Sequence, residues 1–320
     1  MKYTQRMKHN FGFILWPFER FIWYMEHILF KIFKRKKEYC ILRYLGNGAG
    51  FFCYFNTLLG GIAYADRKNM IPIIDMKYIR NTYLTDDKVG RVNAWEYYFE
   101  QPVRISVDEL LSHERCFIFD QTHYLPGPLQ NPNFYSGRGG MLSYWQKIRK
   151  KYIRLAPAVI NRFENMKIKY KGKKILGVHI RGTDYTVLKP AGHPVQPTPE
   201  QAIDKAKEAM QEKNFDILYL STEDKRIMSK FQKAFGEKLI YPESEYVEFD
   251  YTGSNHGYID SYTIDKDNDK YLRGMEYLVS ILFLSQCDGI ICSQCGGSTG
   301  AFLFSEGFDY LYVFDLGYYD

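Results

Sequence analysis

Three short stretches of this chain carry residue types that handle anions and sugars. The first is His179-Ile180-Arg181-Gly182-Thr183-Asp184-Tyr185, at the end of an apolar run. A strand covered on both faces ends in His, Arg and Asp where those side chains face a crevice. Arg181 there can clamp a phosphate with a forked pair of hydrogen bonds. Asp184 can hold the guanidinium or touch a sugar hydroxyl; the plainer alternative is an Arg–Asp pair that ties the turn. The second stretch is Ser293-Gln294-Cys295-Gly296-Gly297-Ser298-Thr299-Gly300. Free amides at a helix start, with the hydroxyls of Ser293, Ser298 and Thr299 beside them, make an anion site; the alternative is a simple turn. It lacks the Gly-Lys-Ser/Thr ending of an ATP-binding loop, which argues against an ATPase. The third is Ser221-Thr222-Glu223-Asp224. Its carboxylates can accept from a base or a ribose, or else sit at a helix start because the dipole favours them.

Other candidates carry less. Gly46-Asn47-Gly48-Ala49-Gly50 invites a nucleotide or methyl-donor reading, but lacks the full Gly-x-Gly-x-x-Gly and is followed only by Asp75 as a plausible acid. Asp265, Asp267 and Asp269, with Glu276 further on, resemble a calcium loop, yet Lys270 stands where a glycine is needed. Cys292 and Cys295 have the two-residue gap of a zinc knuckle without a second pair, so the six cysteines read as free thiols in a reducing cytoplasm. No metal site is expected.

Strands are predicted at 40–45, 70–75, 174–180, 216–221, 238–241, 289–292 and 310–314. Helices are predicted at 51–67, 143–171, 198–213, 225–235, 271–286 and 301–306, with 76–140 as loops and short helices over an opening, 243–270 as a long loop and 296–300 as a loop feeding the last helix. Strand and helix alternate, which implies parallel doubly wound sheets with ligands at the carboxyl ends of the strands. The three chemical stretches then share one sheet edge, where Arg181 and the 293–300 loop can hold two ends of one diphosphate.

A chain of 320 residues with 46% hydrophobic and 25% charged residues suits two globular domains and excludes a disordered chain. Of the net charge of +6, all resides in residues 1–38, which hold nine Lys/Arg against three Glu. The remainder is balanced, so no nucleic-acid-binding face is expected. Residues 17–37 read as a helix with Phe18, Phe21, Ile22, Met25, Leu29, Ile32 and Phe33 on one face and a Lys34-Arg35-Lys36-Lys37 cluster at its end. Charges interrupt every apolar run well short of the ~20 residues of a membrane span. The pattern suits an interfacial helix on an anionic membrane, or a helix packed on its own domain. With no secretory leader in evidence, the chain is expected in a cytoplasm, bacterial by its character, and peripheral on the inner membrane face.

The residues of the second half resemble a known family. His179-x-Arg181-x-Thr183-Asp184 followed by His193-Pro194 is similar to the arginine motif of the α1,6-fucosyltransferase and protein O-fucosyltransferase superfamily. Tyr219-Leu220-Ser221-Thr222-Glu223-Asp224 resembles its strand ending in paired acids. Leu272-Arg273-Gly274, then Phe283-Leu284-Ser285-Gln286-Cys287-Asp288 and Cys292, resembles the segment before its nucleotide loop. The likeness covers roughly residues 172–306. It implies a GT-B-like fold of two Rossmann-like domains facing a cleft: an arm at 1–38, an acceptor-side domain at 39–171 and a donor domain at 172–320.

The resemblance also implies an inverting, metal-independent transferase, GDP-fucose as donor by family default, and no cofactor. Arg181 would bind the diphosphate, His179 and His193 would belong to the donor site, Ser293, Gly296, Gly297, Ser298 and Thr299 would bind phosphate or nucleotide, and Glu223 and Asp224 would hold base or ribose. Two positions depart from the family. Its second arginine is Gly182 here, and its proposed catalytic Glu falls at Lys189, which can itself supply the missing cation. Asp184 and Glu96 are then the candidate bases. The acceptor is expected to be a glycan, lipid-linked at the membrane, in capsule, O-antigen or exopolysaccharide assembly. The rival readings are a transferase for another nucleotide sugar and a non-catalytic nucleotide- or glycan-binding protein of the same fold.

Overall fold

The computed structural model describes residues 38–45, 48–112, 116–119, 127–128, 140–242 and 269–320, without the side chain of Asp184. The arm at 17–37 and the acids Asp265 and Asp267 lie outside these residues. Among the described residues no helix is long and apolar enough to cross a membrane.

The first half opens as β1 (Tyr39–Leu42), α1 (Phe51–Arg67) and β2 (Ile71–Ile74). β1 pairs in parallel with β2 on one side and with β3 (Cys116–Phe119) on the other. β3 lies within the segment predicted as loop: four residues are too few for a period to show. A short α2 (Val107–Leu111) precedes it, capped by the Ser106 side chain. The helical stretch predicted at 143–171 is two helices, α3 (Gly140–Tyr152) and α4 (Pro157–Lys169). Pro157 has no amide to donate and pushes Ala156 into extended backbone, so the chain must break there.

Among the described residues the second half holds five parallel strands. β4 (Ile175–His179) runs at the centre, between β5 (Ile217–Ser221) and β7 (Gly289–Ser293); β6 (Leu239–Ile240) and β8 (Tyr310–Phe314) lie outside them. β4 and β7 are buried at every residue, which explains their unbroken apolar runs. The connections are α5 (Thr183–Leu188), α6 (Pro199–Glu212), α7 (Lys225–Phe235), α8 (Asp269–Leu284) and α9 (Gly296–Phe304). α6 begins where Thr198 and Gln201 form a capping box with Pro199 at the first helical position.

α9 corrects one expectation. Residues 296–300 are its first turns rather than a loop. The hydroxyls in this stretch serve the helix start: Ser298 Oγ donates to the Ser293 carbonyl at 2.6 Å and Thr299 Oγ1 to the Cys295 carbonyl at 3.1 Å.

One apolar core joins both halves. Phe55 of α1 lies 5.7 Å from Phe304 of α9, and Tyr170 beyond α4 lies 5.9 Å from Phe283 of α8. Glycines in α9 permit this approach: a Cβ on Gly300 would stand 2.2 Å from the Phe52 ring. Gly300→Ala is therefore expected to destabilise the chain by about 1–3 kcal/mol, the usual range for overpacking a dense core. Urea unfolding would show this as a lower midpoint at unchanged slope; an unchanged midpoint would mean the ring moves aside freely.

Candidate active site at the carboxyl edge of the five-stranded sheet

The register of the second sheet sets His179 opposite Ser221 on one side and Cys292 on the other. The three chemical stretches therefore leave adjacent strands at one edge, as their sequence order predicts.

His179 ends β4 and is 1% exposed. Its Nδ1 lies 2.9 Å from the Ser221 carbonyl, so Nδ1 carries the proton and donates. The ring's other nitrogen, Nε2, points to the first turn of α9, where an added Cβ on Gly297 would stand 2.5 Å from it. Burial pulls the ring toward neutrality, but Cys295, the Ser221 carbonyl and Glu223 outweigh it and hold its pKa above the usual value.

Arg181 is fixed from two sides. Its Nε lies 3.7 Å from Glu223 Oε1, and its guanidinium carbon stands 4.3 Å from the centre of the Tyr185 ring. Tyr185 extends the series: its hydroxyl is 3.1 Å from His193 Nδ1, and the two rings meet edge to face. The His193 loop is in turn strapped by the carboxyl-terminal tail, through Val195 to Gly317 and Tyr319 to His193. A cation held this way loses little freedom when an anion arrives.

Glu223 and Asp224 divide their work. Glu223 accepts from the Gly182 amide and the Thr183 hydroxyl, both at 3.1 Å, and so shapes the turn that carries Arg181. Thr183 adopts a left-handed φ of +43°, a strained conformation for a β-branched residue that these bonds and the Asp224 contact sustain. Asp224 is 1% exposed and fully engaged: Oδ1 caps α7 through the amides of Arg226 and Ile227, while Oδ2 accepts from the Thr183 amide. The geometry gives it to capping rather than to an open face of the site.

The departure at Gly182 has a steric cause. A Cβ there would stand 2.1 Å from Asp224 Oδ2 and 2.8 Å from Asp224 Cβ. No larger residue fits while Asp224 caps α7. Lys189 is exposed and ends α5 in a left-handed conformation. Glu96 is exposed on the turn Ala94–Tyr97, where it accepts from Gln101. The backbone of Asp184 lies in α5.

On the third side is the amino end of α9. Its cap residue, Cys295, makes no standard side-chain cap, and the Ser298 amide faces the Cys295 thiol, so the amides of Gly296 and Gly297 are the ones that keep their donor capacity. Ser293 is fully buried. Ser298 and Thr299 are buried with their hydroxyls turned to carbonyls, which leaves Gly296 and Gly297 to offer backbone.

Sequence reasoning missed three contributors. Gly296 packs on Phe52, with an added Cβ 3.1 Å from Phe52 Cβ, so the amino ends of α1 and α9 meet. α1 is likewise without a side-chain cap and follows Gly48, whose φ is +76°; its amino end thus reaches the same site. Tyr277 of α8 also enters, its hydroxyl placed where an added Gly297 Cβ would be 2.3 Å away. Burial, with Cys295 next, raises its pKa far above the ordinary tyrosine value, while Arg181 opposes this. A tyrosine within an apolar helix gave no signal of this role. Cys295 is the third. Together these groups bring a fixed cation and two helix amino ends without side-chain caps to one edge of the sheet, an arrangement suited to a di-anion such as a diphosphate.

The parallel α/β architecture is similar to that of solved fucosyltransferase structures. The fucosyltransferase NodZ from Bradyrhizobium aligns over 88% of this chain and 96% of its own, with a TM-score of 0.50 at 13% identity. POFUT1 aligns over 88% of this chain in two crystal structures: with GDP-fucose bound (98% of its length, TM-score 0.50, 10% identity) and without ligand (99%, 0.51, 8%). No family model and no curated protein matches the chain by sequence.

Proposed function

We propose that this chain is a glycosyltransferase that moves fucose from GDP-fucose to a glycan hydroxyl, with inversion and without a metal ion. The observation that carries the reading is Arg181, fixed by Glu223 and Tyr185 at the sheet edge beside the uncapped amino end of α9, in a fold shared with a protein crystallised with GDP-fucose. As the acceptor oxygen attacks the anomeric carbon, the bond to the diphosphate breaks and negative charge grows on the leaving nucleotide. Arg181 and the α9 amides meet that charge. A carboxylate takes the acceptor proton; Asp184, one residue beyond the strained Thr183, is the base we assign, with Glu96 as its rival.

In this reading residues 172–320 form the donor side and 39–171 the acceptor side of a GT-B cleft. The basic arm at 17–37 brings the enzyme to an anionic inner membrane face in a bacterial cytoplasm, where a lipid-linked glycan of a surface polysaccharide is the acceptor.

Gly182 favours a second reading, a transferase for another nucleotide sugar or a non-catalytic nucleotide binder, because the cation the family keeps there has no space. The test is GDP release from GDP-fucose in the presence of membrane glycan fractions. Glycan-dependent release supports transfer; saturable binding without release supports the non-catalytic reading.

A further inference from the structure

The transfer reaction leaves one nucleophile of the site unused. Cys295 is 5% exposed and caps α9 with its backbone, its Sγ 3.4 Å from Ser298 Oγ. His179 reaches it from β4. Because Nδ1–H is committed to the Ser221 carbonyl, Nε2 is the nitrogen that carries the lone pair, and this buried atom has no hydrogen-bond partner of ordinary geometry among the described residues. Nε2 faces the first turn of α9, where an added Cβ on Gly297 would stand 2.5 Å from it, and Cys295 begins that turn. Burial alone would push the thiol up; the His179 ring and the Ser298 hydrogen bonds outweigh it and bring Cys295 down to about 6. The other groups facing it are Cys292 on β7 and Tyr277 on α8, with Arg181, Glu223 and Tyr185 grouped around Tyr277.

We propose that Cys295, activated by His179, is a reactive thiolate site for small uncharged soft electrophiles, and that its modification blocks the anion-binding end of α9. The second clause rests on the donor-site reading. With iodoacetamide, Nε2 takes the thiol proton and sulfur attacks the methylene carbon. The C–S bond forms as the C–I bond breaks, and iodide leaves.

The test is brief labelling of the native full-length protein with iodoacetamide from pH 5 to 9, followed by peptide mass spectrometry. Exposed Cys53 serves as reference within the same chain. Thiolate appears above the group's pKa, so Cys295 labelling should rise with a midpoint near pH 6, well below the ordinary thiol value of about 8.5. His179→Gln should move the Cys295 midpoint up toward that value. Cys295→Ser should abolish the labelled peptide, and the wild-type profile stands by itself where the His179 variant does not fold. A Cys295 profile that tracks Cys53, or no labelling before denaturation, would overturn the thiolate. Added GDP should slow Cys295 labelling and leave Cys53 unchanged; a low midpoint that neither GDP nor UDP affects would overturn the link to the anion site while leaving the thiolate standing.

Discussion

Arg181→Ala is expected to lower transfer from GDP-fucose by roughly 100- to 1,000-fold, the cost of removing one preorganised group from a site where charge develops. The loss should fall on the rate as well as on donor binding, since the cation meets more charge in the transition state than in the bound donor. Folding should be nearly untouched. The Arg181–Glu223 pair is partly exposed, and such pairs contribute at most about 1 kcal/mol. Initial rates with GDP-fucose, alongside a melting curve of the free protein, separate the two effects. Wild-type rates in a folded variant would remove Arg181 from the site.

The second large effect concerns the neighbouring glycine. Gly182→Arg, which restores a second cation to the motif, is expected to damage the protein. The new Cβ would stand 2.1 Å from Asp224 Oδ2, and the Asp224 carboxylate caps α7. Overpacking and the lost cap together should cost roughly 2–4 kcal/mol, with no gain in nucleotide affinity. The two residues share one space, so Gly182→Arg in an Asp224→Gly background should cost less than the sum of the single changes. Urea unfolding of the four proteins measures this coupling. A stable Gly182→Arg single variant that binds GDP more tightly would show that the backbone yields and that the missing arginine is no steric necessity.

Much of this architecture was legible because the second half obeys simple rules. The runs at β4 and β7 are apolar throughout since both faces are covered, and Thr198-Pro199 announces α6. Arg181, Glu223 and His179 were expected at an edge because polar residues that end such runs face one, and the register sets them at the carboxyl ends of β4 and β5. What was hidden depended on tertiary space. The glycines at 296–300 looked like loop residues, yet they let α9 lie against Phe52 and Tyr277. Asp224 read as a possible nucleotide contact, but a buried Asp two residues before the amides it accepts from is a helix cap. Gly182 read as a lost function, whereas its neighbour across the sheet dictates its size. Tyr277 and the Cys295–His179 pair come from elements far apart in sequence, and no local pattern joins them.

In the proposed function this sheet edge binds a nucleoside diphosphate through Arg181. Calorimetry of the full-length protein against GDP, UDP, CDP, dTDP and their sugars, repeated with Arg181→Ala, tests it most directly. A ligand that binds only the native state also raises the melting temperature by mass action, which gives an independent readout. Selective binding of GDP and GDP-fucose, lost in the variant, is expected. Wild-type protein that binds none of the nucleotides, or Arg181→Ala protein that binds GDP as the wild type does, would contradict it.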